Sequence, residues 1–176
     1  KVNMKRLRWP ASLLTFLLPT WLPEALPAQE GESPPPASGS TCSAAEFRQF
    51  DFWVGEWDVT SGGQPAGTNS IRRVHGGCVL QETWQGAGEG GISGGSYNIY
   101  DQANGRWHQT WVDTSGLLLL LEGGLRGKSM VLEGQTTGAD GQVTRHRISW
   151  TPNTDGTVRQ HWESTDAQGQ WNTAFD

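Results

Sequence analysis

The chain has 176 residues, with 24 Gly, 10 Trp, 9 Pro and 2 Cys, and 18 acidic against 13 basic side chains give a formal charge of −5. That length is one domain's worth, and richness in Gly and Trp without Leu-rich helical periodicity excludes a simple helical bundle and points to an all-β protein with many turns. The acidic balance argues against nucleic acid or anionic membrane surfaces as partners.

The first segment reads as an export signal. Met4, taken as the start with Lys1 to Asn3 upstream of it, is followed by Lys5, Arg6 and Arg8, an apolar run from Trp9 to Leu22, and Ala25-Leu26-Pro27-Ala28. A basic start, a short apolar middle and a small residue at the end is the arrangement of a secretory signal peptide, here residues 1–28. The run carries Pro10 and Pro19 and is shorter than the roughly 20 residues of a spanning helix, so no stable membrane insertion is expected. Cys42 lacks the preceding apolar and small residues of a lipoprotein cleavage site. Residues 29–41 are dominated by Glu, Ser, Gly and Pro, with Pro34-Pro35-Pro36, and read as a disordered linker. Cleavage after residue 28 removes four bases and one acid, leaving a formal charge of about −8 on a periplasmic or secreted product.

The folded domain is expected over residues 42–176. Cys42 and Cys78 could form one disulfide pinning the leading segment to the third strand, worth about 4 kcal/mol by loop-closure entropy; two unlinked buried thiols are the alternative. Ser43-Ala44-Ala45-Glu46 has the spacing of a capping box, which predicts a short helix with Phe47 and Phe50 on one side. Strands are predicted over 55–60, 67–74, 78–84, 94–101, 106–113, 117–122, 128–134, 143–151, 157–164 and 169–176, separated by turns such as Asn104-Gly105, Gly123-Gly124 and Asp140-Gly141. Many short strands at even spacing predict an antiparallel up-and-down β-barrel of about 8–10 strands, closed so as to remove its edges.

Several of these stretches carry a family likeness. Phe50-Asp51-Phe52-Trp53-Val54-Gly55-Glu56-Trp57-Asp58-Val59 is followed by Gly77-Cys78-Val79-Leu80-Gln81-Glu82, Trp107-His108-Gln109-Thr110-Trp111-Val112-Asp113, Trp150-Thr151-Pro152 and Gln160-His161-Trp162-Glu163-Ser164. Gly55-Glu56-Trp57 resembles the Gly-x-Trp motif of lipocalins and the wider calycin superfamily. The longer pattern, over 42–176, is similar to the bacterial DUF1579 family of exported lipocalin-like proteins. The resemblance implies a calycin-like barrel with no established activity, and an arginine from a late strand, Arg147 or Arg159, packed on Trp57.

Period-two alternation assigns the strand faces. It sends Leu80, Glu82 and Trp84 inward on the third strand and Trp107, Gln109, Trp111 and Asp113 on the fifth. His146, Ile148 and Trp150 face inward on the eighth, and Val158, Gln160, Trp162 and Ser164 on the ninth. A core built only for stability would favour Leu, Ile and Val, so a Trp-lined interior with polar groups predicts a partly open cavity for a small hydrophobic or aromatic molecule. Trp57, Trp84, Trp111, Trp150 and Trp162 would form its walls, with Glu82, Gln109, Gln160 and His146 as further contacts. The alternatives are a filled barrel whose indole N–H groups are satisfied by Gln109 and Gln160, with Glu82 paired to Arg73 or Arg147, and an isomerase, cyclase or hydrolase using Glu82 or Asp113 as acid or base. A third is a nitrobindin-like protein with His146 as haem ligand. His75, His108, His146 and His161 show no metal-site spacing, and no cofactor is expected.

Overall fold

A computed structural model describes residues 42–176. The signal peptide and linker read over residues 1–28 and 29–41 lie outside the described residues. Ten strands follow one another: β1 Gly55–Ser61, β2 Gln64–Val74, β3 Val79–Gly86, β4 Ser93–Asp101, β5 Arg106–Asp113, β6 Leu118–Arg126, β7 Ser129–Thr137, β8 Val143–Pro152, β9 Val158–Thr165 and β10 Trp171–Phe175. They form one antiparallel sheet in sequence order, the up-and-down topology that short turn-rich connections permit. One boundary differs from expectation: Gly123 and Gly124 lie inside β6, opposite Leu132 and Val131 of β7, and the hairpin turns after Arg126 and Ser129 pair.

The barrel is nearly closed rather than closed. No ladder joins β1 to β10 in the sheet order, and one bond, from Ser61 Oγ to the Asp176 main-chain oxygen at 2.7 Å, links the two ends of the sheet. Register shifts at Val59/Thr60 in β1 and at Thr173/Phe175 in β10 lie in the same two edge strands. A bulge leaves one residue unpaired and bends its strand, so the ladder is locally interrupted in both edge strands.

The segment before β1 also departs from expectation. In place of a capped helix there are two 3-10 turns, Ala45–Arg48 and Asp51–Trp53, the first preceded by Ala44 without a side-chain cap. The aromatic spacing accounts for the tighter helix: Phe47, Phe50 and Trp53 recur every third residue, matching three residues per turn, and all three are buried. Phe50 stacks on Trp53 with centroids 4.9 Å apart and meets Trp107 and Trp150 edge-on at 5.7 and 5.1 Å. These rings plug one end of the barrel.

The plug is fastened covalently and by charge. Cys42 and Cys78 are disulfide-bonded across 36 residues. Beside that link Arg48 Nη2 donates to the Cys42 carbonyl at 2.7 Å and the Gly77 carbonyl at 2.6 Å. Arg73 of β2 pairs with Asp51. Trp57 Nε1 donates to the Trp53 carbonyl; of the expected late-strand arginines, Arg147 lies over the Trp171 ring, while Arg159, which lines the same hollow as Trp57, pairs with Asp176.

Replacing both cysteines with alanine should lower unfolding free energy by about 4 kcal/mol, from loss of loop-closure constraint. Urea unfolding of the oxidised protein and the double variant checks this, and coincident midpoints would show that the link contributes nothing.

Candidate functional site

The alternation of burial along the strands gathers the inward side chains into a cavity of about 430 Å³. Its walls include Glu82 and Trp84 from β3, Gln109, Trp111 and Asp113 from β5, Ile148 and Trp150 from β8, and Gln160 and Trp162 from β9. The β3–β4 connection, through Ala87, Gly91 and Ile92, and the β5–β6 connection, through Ser115 and Leu117, form the rim opposite the plug. Two glycines let the rim tryptophans lie against backbone. A Cβ on Gly67 would come within 2.7 Å of the Trp84 ring, and one on Gly94 within 2.8 Å of the Trp111 ring.

At mid-depth a chain of polar side chains crosses β2 to β5. Glu82, 5% exposed, accepts from Asn69 Nδ2 at 2.8 Å on one oxygen and from Ser96 Oγ at 2.6 Å on the other. Asn98 Nδ2 donates to Ser96 Oγ at 2.8 Å, and Gln109 Nε2 donates to Asn98 Oδ1 at 2.9 Å. Burial pushes the Glu82 carboxyl up to about 6, against the two hydrogen bonds that favour its charged form. The expected ion pair is not formed: Arg73 is held by Asp51 and Arg147 by Glu163. Among the described residues four buried side-chain polar atoms lack a hydrogen-bond partner, and two of them, Asn69 Oδ1 and Trp150 Nε1, belong to wall residues; the others are on Arg48 and His108.

The indole N–H groups are not satisfied by Gln109 and Gln160, as a filled barrel would have required. Trp107 donates to Gln49, Trp111 to Asp113 and Trp162 to His146 Nδ1. The Gln160 side chain makes no hydrogen bond among the described residues, and the residue belongs to the cavity wall.

Three expected contacts are corrected. Trp57 is absent from this cavity's wall and lines a second hollow at the β1–β10 seam, with Thr60, Val158 and Asp176. His146 faces inward but is consumed by packing: its Nε2 lies 2.9 Å from Thr136 Oγ1 and its Nδ1 accepts the Trp162 N–H at 3.3 Å. Acceptance at Nδ1 leaves the proton on Nε2, and burial holds the ring below the usual histidine range, so it is neutral and has no free nitrogen for haem iron. Asp113 stands at the rim as a turn residue. Burial works to raise its carboxyl, but donors from Ser115, Trp111 and the Leu117 main chain outweigh that and hold it low, which removes it as an acid or base at neutral pH.

Asn69, Ser96 and Asn98 are the site residues that face assignment missed. The same period-two rule applied to β2 and β4 places Asn69 with Ile71 and Ser96 with Asn98, all buried.

Glu82 has a folded value raised from 4.5 to about 6, so its contribution to stability is full below 4.5 and lost as pH rises through 6. That loss is about 2 kcal/mol at neutral pH. Glu82→Gln should therefore match the parent protein near pH 4 and exceed it by up to about 2 kcal/mol at pH 7.5, by urea unfolding. A variant less stable than the parent at pH 7.5 contradicts this.

Comparison of the chain with protein-family models, curated proteins and solved structures returned no match, so what the barrel does is argued from its own site.

Proposed function

We propose that this protein binds a small, largely apolar or aromatic molecule between Trp84, Trp111, Trp150 and Trp162, oriented by Glu82, Gln109 and Gln160. The observation that carries the reading is the cavity of about 430 Å³ itself, within the volume range of small-molecule sites and walled by indole rings around a few convergent polar groups. A barrel shaped only by stability would fill that space with aliphatic side chains and would not bury a carboxylate without a cation beside it. The same proposal places the protein among exported lipocalin-like proteins of the DUF1579 type, on the motifs around Gly55-Glu56-Trp57 and Trp107 to Asp113. Periplasmic or secreted residence is supported by the Cys42–Cys78 disulfide, which oxidising compartments sustain. No helix among the described residues is long and apolar enough to cross a membrane.

One observation favours a second reading. A carboxyl at about 6 facing a cavity is near the value a general base needs at neutral pH, so Glu82 is the candidate if the barrel is an enzyme.

Titration with the neutral dye Nile red, followed by its own emission and by tryptophan quenching, should give saturable single-site binding that Trp111→Ala weakens by roughly tenfold, the effect of losing one aromatic anchor. Native mass spectrometry of protein purified from its host should show a retained small molecule. An empty protein that gives no response to the dye is a filled structural barrel instead. Glu82→Gln separates the two readings: affinity for a neutral probe stays within a few fold in both, while turnover of any substrate found is abolished only if Glu82 is the base.

A further inference from the structure

The cavity wall is electrostatically one-sided. Among the described residues its titratable side chains are two carboxylates, Glu82 and Asp113, and no described Lys, Arg or His belongs to it. The arginines that could have reached inward are committed outside: Arg72 to Glu56, Arg73 to Asp51, Arg147 to Glu163 and Arg159 to Asp176. Among the described residues Glu82 receives donors only from Asn69 and Ser96, one on each oxygen. An ionised carboxylate accepts about four hydrogen bonds, so half of its capacity remains.

The surroundings suit a positive charge. Trp111 and Trp162 line the cavity with their N–H groups already bonded to Asp113 and His146. Trp84, on the same strand face as Glu82, meets Phe175 edge-on at 6.3 Å across the interior. Indole faces attract cations as well as apolar groups.

We propose that the ligand is an amine on an apolar or aromatic body, bound as its ammonium ion with the charge hydrogen-bonded to Glu82 and the body held against Trp84, Trp111 and Trp162. This assignment rests on the small-molecule-binding reading of the same cavity and narrows it to a chemical class. A buried carboxylate that lacks a protein cation is completed by a cationic ligand, and an anionic ligand of the same shape is rejected by the same wall. Gln160, with its amide unpartnered, is the site for a second polar group on the ligand.

The pH dependence follows from the groups around Glu82. Asn69 and Ile71 from β2, and Ser96 and Asn98 from β4, do not titrate. Burial holds His146 below the usual histidine range, its two ring nitrogens are tied to Thr136 and Trp162, and Asp113 is held low. Of the two wall carboxyls it is Glu82, at about 6, that changes charge between pH 7 and pH 5. An alkylammonium stays charged throughout, so acidification weakens its binding by protonating Glu82, and the loss should vanish in Glu82→Gln.

The test is calorimetric titration of the full protein with three probes of matched size: naphthylmethylamine, naphthylmethanol and naphthylacetate. At pH 7.5 the amine should bind roughly tenfold or more tightly than the alcohol, the lower end of what a hydrogen bond to a charged group contributes, and the acetate weakest. In Glu82→Gln the advantage of the amine over the alcohol should disappear while alcohol binding persists. Between pH 7 and pH 5 the amine should lose about tenfold in affinity, because its binding must then displace the Glu82 proton, and the alcohol should lose none. Equal binding of amine and alcohol, tighter binding of the acetate, or an amine preference that survives Glu82→Gln overturns the assignment. So does failure of all three while Nile red still binds. Failure of Nile red as well overturns the small-molecule reading with it.

Discussion

Phe50 has no exposed surface, stacked on Trp53 at 4.9 Å and bounded by the edges of Trp107 and Trp150. This contact decides where the dry core of the barrel lies. Eight strands enclose an interior that side chains can just fill, and ten enclose more, so a ten-stranded sheet must concentrate its packing somewhere. Here aromatic rings supplied from outside the sheet fill one end, held by the Cys42–Cys78 link and by Arg48 across the two adjoining carbonyls. Met130, Leu132 and Leu121 pack beneath them. With that end satisfied, the middle and the far rim are free to be polar and open.

Glu82 shows what that freedom costs. A carboxylate taken from water without a cation is destabilising, and its two donors only partly offset the lost hydration. The chain from Asn69 through Ser96 and Asn98 to Gln109 spreads over four consecutive strands, so the carboxylate is held in place by the sheet itself and not by one mobile partner. A rigid, partly desolvated charge is a poor choice for stability and a good one for discriminating between molecules of similar shape. Trp84 and Trp111, seated against Gly67 and Gly94, are fixed in the same way.

The ten strands and four inward faces were legible because turn residues and period-two alternation are local properties. On β3 and β5 the alternation has high amplitude: Glu82 lies between Leu80 and Trp84, and Gln109 between Trp107 and Trp111. On β2 and β4 it does not. Thr68-Asn69-Ser70 and Ser96-Tyr97-Asn98 are polar or amphipathic on both faces, so the partners of Glu82 left only a weak signal, the period-two link of Asn69 to Ile71 and of Ser96 to Asn98. His146 was placed on the correct face, but its use was settled by Thr136 and Trp162 on neighbouring strands, a matter of pairing and not of period. The capping box failed for a related reason, since burial of rings at every third residue overrode a local cap. Closure of the sheet depends on strand stagger, which alternation does not encode.

At the seam between β1 and β10 no ladder among the described residues fixes the barrel's girth. A closed ladder fixes circumference through its stagger, and widening it breaks several main-chain bonds at once. Here the two sheet ends are joined by the Ser61–Asp176 bond, and β10 is a short, largely exposed strand paired only to β9. Val59, Asn69, Gln160 and Phe175 belong both to the cavity and to the hollow at the seam, so lateral movement of β10 changes the chamber's width directly. The plugged end cannot yield in this way. The described barrel thus pairs one end fastened by a covalent link with a lightly joined seam that borders the chamber holding Glu82.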